Sequence, residues 1–212
     1  MQIIPTVLTN DFIEAEQRIK QLVEYAKWIQ IDVIDGSFCP FKTFELELLN
    51  KLDVTKTILW DVHLMVKEPE KWLEKCLFIG ASRVTGQVEM MSDREKFVDE
   101  IKNMGVDVGL SFDVDTEIEN IPKETDLVLL MGRKSGFQST KFDEKIYKKI
   151  TKLVEFKKNK KMDFEIGIDG GLNEEIIKKI KVVGTDIAYC GGIIFNGNVI
   201  NNWEKINYAS NN

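Results

Sequence analysis

Polar side chains stand inside several apolar, β-branched stretches of the sequence, where buried strands are expected. Gln30 and Asp32 are two residues apart and therefore face the same side of one strand. His63, the single histidine of the chain, lies in a second stretch, and Asp169 ends a third. A carboxylate in the middle of a buried strand is costly unless it is paired or bound to a metal ion, and no turn explains Asp32. We therefore expect Asp32 to belong to a site.

The other polar residues also have ordinary structural explanations. A lone histidine on an apolar strand is more often a hydrogen-bonded core residue than a ligand. Asp169 followed by Gly170 is also typical of a turn. In a closed barrel, however, all of these side chains can point to one centre, and such a convergence indicates a site more strongly than any single member.

Eight short apolar runs predict eight strands, over residues 3–8, 28–34, 58–65, 83–88, 106–112, 127–131, 164–168 and 187–190. Helical periodicity between them predicts helices over 12–25, 72–78, 97–104 and 146–156. This alternation fits either an open doubly wound sheet or a closed barrel, and the strand count in a short chain favours the barrel. We expect a single-domain α/β protein, a (β/α)₈ TIM barrel over residues 1–212.

Glycines follow the last predicted strands and indicate a phosphate site. Gly136 follows the sixth strand, Gly170 and Gly171 follow the seventh, and Gly191 and Gly192 follow the eighth. Loops after the seventh and eighth strands of barrels commonly hold phosphate, and glycine lets the backbone approach its oxygens closely. Glycines also bound helices without any ligand, so each pair alone is a weak signal. Together they predict that a phosphate binds at these loops.

The composition is that of a soluble cytoplasmic protein. The net charge of -6, from 29 Lys+Arg and 35 Asp+Glu, repels nucleic acid and anionic membranes, so we expect neither as a partner. No apolar stretch approaches the roughly 18 residues of a membrane span, and no basic and apolar leader opens the chain. Cys39, Cys76 and Cys190 form no pair that suggests a disulfide framework or a zinc site, which indicates a reducing compartment.

The order of these motifs resembles the ribulose-phosphate 3-epimerase family, a group of pentulose-phosphate epimerases, over nearly the whole chain. The family's Pro-Ser-x-Leu-Ser is similar to residues 5–9, and its Asp-x-Met-Asp-Gly-x-Phe is similar to 32–38. Its Asp-x-His-Leu-Met-Val is intact at 61–66. Its Val-Asp-Gly-Gly-Ile is similar to 168–172, and its Gly-Ser-Ala-Ile-Phe is similar to 191–195. The resemblance implies a ribulose-phosphate-binding barrel.

The resemblance also implies catalytic and metal-binding roles. Asp32 and Asp169 would be the acid and base, and both would hold a divalent metal, zinc, iron or manganese, together with His63. Gln30 stands where the family has a second histidine, and its carbonyl oxygen is a poorer zinc ligand than an imidazole nitrogen. On the fourth strand, Gln87 likewise replaces a family histidine.

The family places a methionine clamp around the substrate carbons, which this chain keeps at Met65 and Met131 and replaces at Ile34. The loop after the sixth strand departs from the family's Asn-Pro-Gly-Phe-Gly-Gly-Gln pattern. The substrate-binding residues that the resemblance implies are Thr6, Met65, Met131, Gly136, Phe137, Gln138, Ser139, Gly170, Gly171, Gly191 and Gly192.

The implied reaction interconverts D-ribulose 5-phosphate and D-xylulose 5-phosphate, or a related ketose phosphate. One group removes the proton beside the ketone and a second returns it on the opposite face, so two carboxylates suffice and no organic cofactor is needed. The enediolate between these steps would be stabilised by the metal, or by hydrogen bonds from Gln30 and neutral His63. Since family members usually assemble, the resemblance implies a homo-oligomer.

Two alternatives stay open. A sugar-phosphate-binding barrel that has lost catalysis and binds or regulates would explain the missing histidines and loop glycines. The retention of Asp32 and Asp169 opposes it. A decarboxylase of the same barrel group would need a lysine where His63 stands, so this interpretation is weak.

Overall fold

The computed structural model of the chain, which describes residues 1–54, 58–134 and 141–211, is a closed parallel barrel. Its strands pair in the order β1-β2-β3-β4-β5-β6-β7-β8, with β8 returning to β1. The strands are β1 (Gln2–Val7), β2 (Trp28–Ile34), β3 (Leu59–Met65), β4 (Ala81–Gln87), β5 (Asp107–Phe112), β6 (Leu127–Met131), β7 (Glu165–Asp169) and β8 (Ile187–Cys190). The barrel is therefore confirmed over the open sheet, and all eight predicted strands are present.

The α-helices of the described residues lie between and after the strands. They are α1 (Phe12–Leu22), α2 (Leu73–Phe78), α3 (Arg94–Asn103), α4 (Lys145–Lys160), α5 (Glu174–Val183), α6 (Gly192–Phe195) and α7 (Val199–Asn211). Short 3₁₀ helices cover Leu46–Lys51, Pro69–Trp72 and Val88–Met90. The first four α-helices correspond to the predicted ones, α5 to α7 were not predicted, and β5 connects to β6 without a helix. No helix among these residues is long and apolar enough to span a membrane.

Side-chain caps start several of these helices where the strands end. Asp11, Asp93 and Asn173 each accept a hydrogen bond from a backbone N–H in the first turn of α1, α3 and α5, which satisfies a donor that the helix leaves free. Gly184 ends α5 in the left-handed region, with φ of 117°. The cap at Asn173 follows the β7 turn at once, so the loop that bears Gly170 is short and defined.

Strand alternation divides the core into an outer and an inner part. On β2, Ile29 and Ile31 pack in the large cluster beneath the helices, whereas Gln30 and Asp32 face the barrel interior. A separate apolar cluster fills part of the interior, made by Ile4, Leu127, Leu129, Met131, Ile187 and Tyr189. The polar residues of the interior lie in two layers, one at each end of the strands.

The layer at the amino-terminal end is an ion-pair network centred on Arg83, which we call the lower network. Arg83 donates from Nε and Nη2 to Asp61 Oδ2, at 2.9 and 2.6 Å, and from Nη1 to Glu165 Oε2 at 3.1 Å. The Tyr189 hydroxyl donates to the same Asp61 oxygen at 2.7 Å. The guanidinium lies 4.7 Å from the ring centroid of Trp28. The buried Asp61 and the half-exposed Glu165 therefore both lie against the Arg83 guanidinium.

Candidate active site

The polar layer at the carboxyl-terminal end brings together the residues singled out in the sequence. Gln30 Nε2 donates to Asp32 Oδ1 at 3.0 Å and to Asp169 Oδ2 at 2.8 Å, so one amide bridges the two carboxylates. His63 Nδ1 lies 3.1 Å from Asp32 Oδ1 and 3.9 Å from Asp169 Oδ2. Register explains part of this arrangement, because Asp32 pairs with His63 across β2 and β3. We call these four residues the upper cluster.

The second nitrogen of His63 faces a residue that the sequence did not place in the site. His63 Nε2 lies 3.1 Å from Oε1 of Gln87, the last residue of β4, and both side chains are fully buried. An amide oxygen only accepts hydrogen bonds, so this contact requires a proton on Nε2. Gln87 stands on an inward-facing position of β4, and its replacement of a family histidine was the signal that could have identified it.

Burial and like charge shift the proton affinities of the upper cluster. Burial and the neighbouring charge of Asp32 raise the pKa of Asp169 to about 7. Burial alone would lower the pKa of His63, but the hydrogen bond and charge of Asp32 and the charge of Asp169 outweigh it and raise that pKa. The site therefore holds a carboxyl group that exchanges a proton near neutral pH, as general acid–base chemistry requires.

The donor atoms of the upper cluster fit a divalent ion. One ligand atom each from Asp32, His63 and Asp169 lies within 4.8 Å of the others. The separations of His63 Nδ1 from the two carboxylate oxygens, 3.1 and 3.9 Å, are below the roughly 4.2 Å that two ligands, each about 2.1 Å from one ion, can span. Gln30 would face an ion with its oxygen, not with the N–H group that bridges the carboxylates.

A cavity of about 480 Å³ opens above the two carboxylates. Its lining includes Thr6, Arg18, Asp32, Arg133, Asp169, Gly170, Gly171, Tyr189, Gly191 and Gly192. The hydroxyl of Thr6 is buried and has no hydrogen-bond partner within the described part of the chain, so it is available to a ligand. Sequence reasoning missed Arg18, which lies on α1 and donates from Nη1 to the carbonyl oxygen of Leu8 at 3.2 Å.

Two of the lining glycines cannot be replaced without a clash. Gly170 and Gly171 have φ of 99° and 72°, in the region that favours glycine. A Cβ at Gly170 would lie 2.9 Å from Cγ of Arg133, and one at Gly171 would lie 2.9 Å from the backbone nitrogen of Phe142. The turn after β7 thus leaves room for the Arg133 side chain beside the cavity.

The remaining residues predicted to bind substrate stay predictions. Met65 packs with Ile34 and Cys39, whereas Met131 belongs to the interior cluster that contains Tyr189, so the two methionines lie in separate apolar clusters. The predicted residues of the β6 loop lie outside the described part of the chain; they are Gly136, Phe137, Gln138 and Ser139.

A closed (β/α)₈ barrel with polar groups and a cavity at the carboxyl ends of its strands defines the class of TIM-barrel enzymes. The chain belongs to the Ribulose-phosphate 3 epimerase family, whose model matches residues 2–195. This membership confirms the predicted family and the predicted isomerase class.

Curated relatives agree with this membership, and solved structures agree with the fold. The chain is 28% identical to the ribulose-phosphate 3-epimerase of Treponema pallidum over 197 residues, covering 91% of this chain and 90% of that one. It is 30% identical to the one of Chlamydia muridarum over 186 residues, with 85% and 82% covered. Among solved structures, a 3-hexulose-6-phosphate synthase superposes with a TM-score of 0.70 at 16% identity, covering 99% of both chains. Phosphoribosyl anthranilate isomerase from Thermococcus kodakaraensis superposes with a TM-score of 0.68 at 16% identity, covering 100% of this chain and 99% of that one. These structural likenesses support the fold alone.

Proposed function

We propose that the chain epimerises a ketose phosphate at C3, interconverting D-ribulose 5-phosphate and D-xylulose 5-phosphate, with Asp32 and Asp169 as the acid and base. The observation that carries the proposal is the pair of buried carboxylates at the floor of the cavity, bridged by Gln30. Family membership supplies the substrate class.

The two carboxylates can complete the reaction with no change in the total number of protons that the protein holds. The proton positions are exchanged between the two groups, and they are reset before the next turnover in the same direction. One carboxylate takes the proton from C3, and the C–H electron pair moves into the enediolate. The other, already protonated, gives its proton to the opposite face of C3, which restores the ketone. In the ion-free site, burial and the charge of Asp32 raise the pKa of Asp169 to about 7, so this group can be protonated and deprotonated near neutral pH.

We also propose that a divalent ion, zinc, iron or manganese, binds the upper cluster. Asp32, His63 and Asp169 would hold it, with the amide oxygen of Gln30 as a further ligand. When bound, such an ion supplies positive charge that stabilises the enediolate oxygens.

The phosphate end of the substrate would bind at the glycine-lined rim of the cavity. The backbone of Gly170, Gly171, Gly191 and Gly192 lines that rim, where glycine permits close approach to phosphate oxygens. Arg133 lines the same cavity and would add positive charge. Arg18 also lines it, but its guanidinium is paired with Glu14 at 2.6 Å. Assembly into a homo-oligomer also belongs to the proposal, and light scattering of the purified chain tests it.

The test follows D-ribulose 5-phosphate by proton NMR in D₂O. The protein is stripped with a chelator, and zinc, manganese or iron(II) is added back separately. Because the reaction passes through an enediolate, D-xylulose 5-phosphate should form with deuterium at C3. Unphosphorylated D-ribulose is the matched control and should turn over far more slowly if the glycine rim binds phosphate.

An opposite result identifies the alternative function. If folded protein binds D-ribulose 5-phosphate in calorimetry but exchanges no C3 proton with any metal, the chain is a sugar-phosphate-binding barrel without catalysis. If it neither binds nor converts this sugar, the substrate assignment is wrong.

A further inference from the structure

Gln87 completes a hydrogen-bonded row that crosses three neighbouring strands. The row runs from Gln30 and Asp32 on β2, through His63 on β3, to Gln87 on β4. Thr85 pairs with His63, so Gln87 lies two residues nearer the carboxyl end of β4, on the same inward-facing side. Both Gln87 and His63 are 0% exposed, so the imidazole nitrogens depend on these partners and not on bulk solvent.

The two nitrogens of His63 have different tasks. Nδ1 faces the carboxylate oxygens of Asp32 and Asp169, at 3.1 and 3.9 Å, and is the atom that can ligate an ion there. A ligating Nδ1 carries no proton, so the ring proton must then be on Nε2. Oε1 of Gln87, 3.1 Å from Nε2, accepts that proton in a hydrogen bond. Without it, Nε2–H would be an unsatisfied donor in a fully buried position, which is costly.

We infer that Gln87 is a positioning residue that keeps the His63 proton on Nε2 and thereby holds Nδ1 toward the two carboxylates as a metal ligand. An amide performs this task without adding negative charge to a layer that already contains two carboxylates. Partners of this kind typically change metal affinity by about 10- to 100-fold when they are removed. The effect of Gln87 on turnover rests on the proposed epimerase activity, whereas its effect on metal binding rests only on the proposed ion site.

The experiment uses Gln87→Leu, which removes the acceptor at similar size, and Gln87→Glu, which keeps an acceptor oxygen. Ser111→Ala is the matched control, because Ser111 is a buried residue of β5 that pairs with Gln87 of β4, and its hydroxyl makes no hydrogen bond within the described part of the chain. Zinc affinity is measured by competition with a chelating dye. The Nε2–H group of the zinc-loaded protein is followed by ¹⁵N–¹H NMR, and the single histidine makes its assignment unambiguous.

We expect Gln87→Leu to weaken zinc binding by about 10- to 100-fold and to shift or broaden the Nε2–H signal. Ser111→Ala should keep zinc affinity within about threefold of wild type. Gln87→Glu keeps an acceptor and adds a negative charge, so it should not weaken zinc binding. For turnover, Gln87→Leu should lower kcat and leave KM for the ketose phosphate nearly unchanged, since Gln87 does not line the cavity.

If folded Gln87→Leu binds zinc as tightly as the wild type and its Nε2–H signal is unchanged, the inference is wrong and Gln87 only contributes to packing. Wild-type protein that binds no zinc would overturn it as well. If zinc affinity changes as expected while the wild type shows no epimerase activity, the inference stands and the proposed function fails. Thermal unfolding of each variant establishes that the protein is folded.

Discussion

The two polar layers of the barrel interior are built on the same strands but differ in how their charges are matched. On β3, Asp61 belongs to the lower network and His63, two residues later, to the upper cluster. On β7, Glu165 belongs to the lower network and Asp169 to the upper cluster. In the lower network, a guanidinium lies against two carboxylates. In the upper cluster, two carboxylates share a neutral amide and one imidazole.

This difference separates a structural ion pair from a candidate site. The lower network pairs its buried carboxylate, Asp61, with the guanidinium of Arg83, and burial of such an ion pair is no sign of function. The upper cluster keeps negative charge in excess, opens onto a cavity of about 480 Å³, and contains a carboxyl group whose pKa is raised to about 7. Excess negative charge of this kind is neutralised by binding a proton, a metal ion or a substrate, and it therefore indicates a functional site.

The largest expected effect is on catalysis by the upper cluster. Asp32→Asn or Asp169→Asn removes one of the two acid–base groups, so epimerisation should fall by about 10³- to 10⁴-fold. Because the other carboxylate still removes a proton from one face, each variant should continue to exchange deuterium into C3 of one epimer. NMR of both epimers in D₂O measures epimerisation and exchange together. Activity above a tenth of wild type in either variant would contradict the two-carboxylate mechanism.

The next effect is on stability and comes from the lower network. Arg83→Met leaves Asp61 buried without its cation, so we expect the free energy of unfolding to fall by about 3–5 kcal/mol. The double variant Asp61→Leu/Arg83→Met should recover most of this loss, since it leaves no unpaired charge. Urea denaturation measures both. Asp32→Asn is the contrasting variant and should not lower the free energy of unfolding. If Arg83→Met and Asp32→Asn lower it equally, the two layers do not differ in how they contribute to stability.

The pH dependence of stability should differ between the layers in protein kept in chelator. The folded-state pKa of Asp169 lies above its unfolded value, so the folded protein binds the extra proton and stability falls as pH rises from about 4 through about 7. The raised pKa of His63 acts in the same direction, because its stabilisation is lost as pH rises through the folded-state value. Asp169→Asn should reduce this slope by up to about 1.4 kcal/mol per pH unit, whereas Arg83→Met should keep it. Urea denaturation between pH 5 and 8 measures this slope. A wild-type slope in Asp169→Asn would show that the proton bound by Asp169 does not contribute to stability.

The strands could be predicted from sequence because buried parallel strands form continuous apolar runs with clear ends. The helices were predicted less completely. The apolar face of α5, at Ile177 and Ile180, follows a cap at Asn173 and was visible in the sequence, whereas α6 has only four residues and offers no periodicity. The helix-free connection between β5 and β6 has no comparable signature.

The sequence predicted those parts of the candidate site that depend on one strand or on two neighbouring strands. Asp32 and His63 stand out as polar residues in apolar runs, and their proximity follows from strand pairing. Contacts across the barrel depend on strand tilt and stagger, which the sequence does not state. The bridge from Gln30 to Asp169, the role of Gln87 and the pairing of Arg83 all depend on them.

The smallest expected effect concerns zinc affinity and the residue at position 30. The Gln30 amide donates to Asp32 and Asp169, so its oxygen can face an ion only if the amide turns and both hydrogen bonds are lost. An imidazole at this position would instead offer a nitrogen lone pair, the better zinc ligand. Gln30→His should therefore tighten zinc binding by about tenfold, or about 1.4 kcal/mol, in competition with a chelating dye. Ser111→Ala is again the control. An unchanged zinc affinity in Gln30→His would show that residue 30 does not ligate the ion, which would then be held by Asp32, His63 and Asp169 alone.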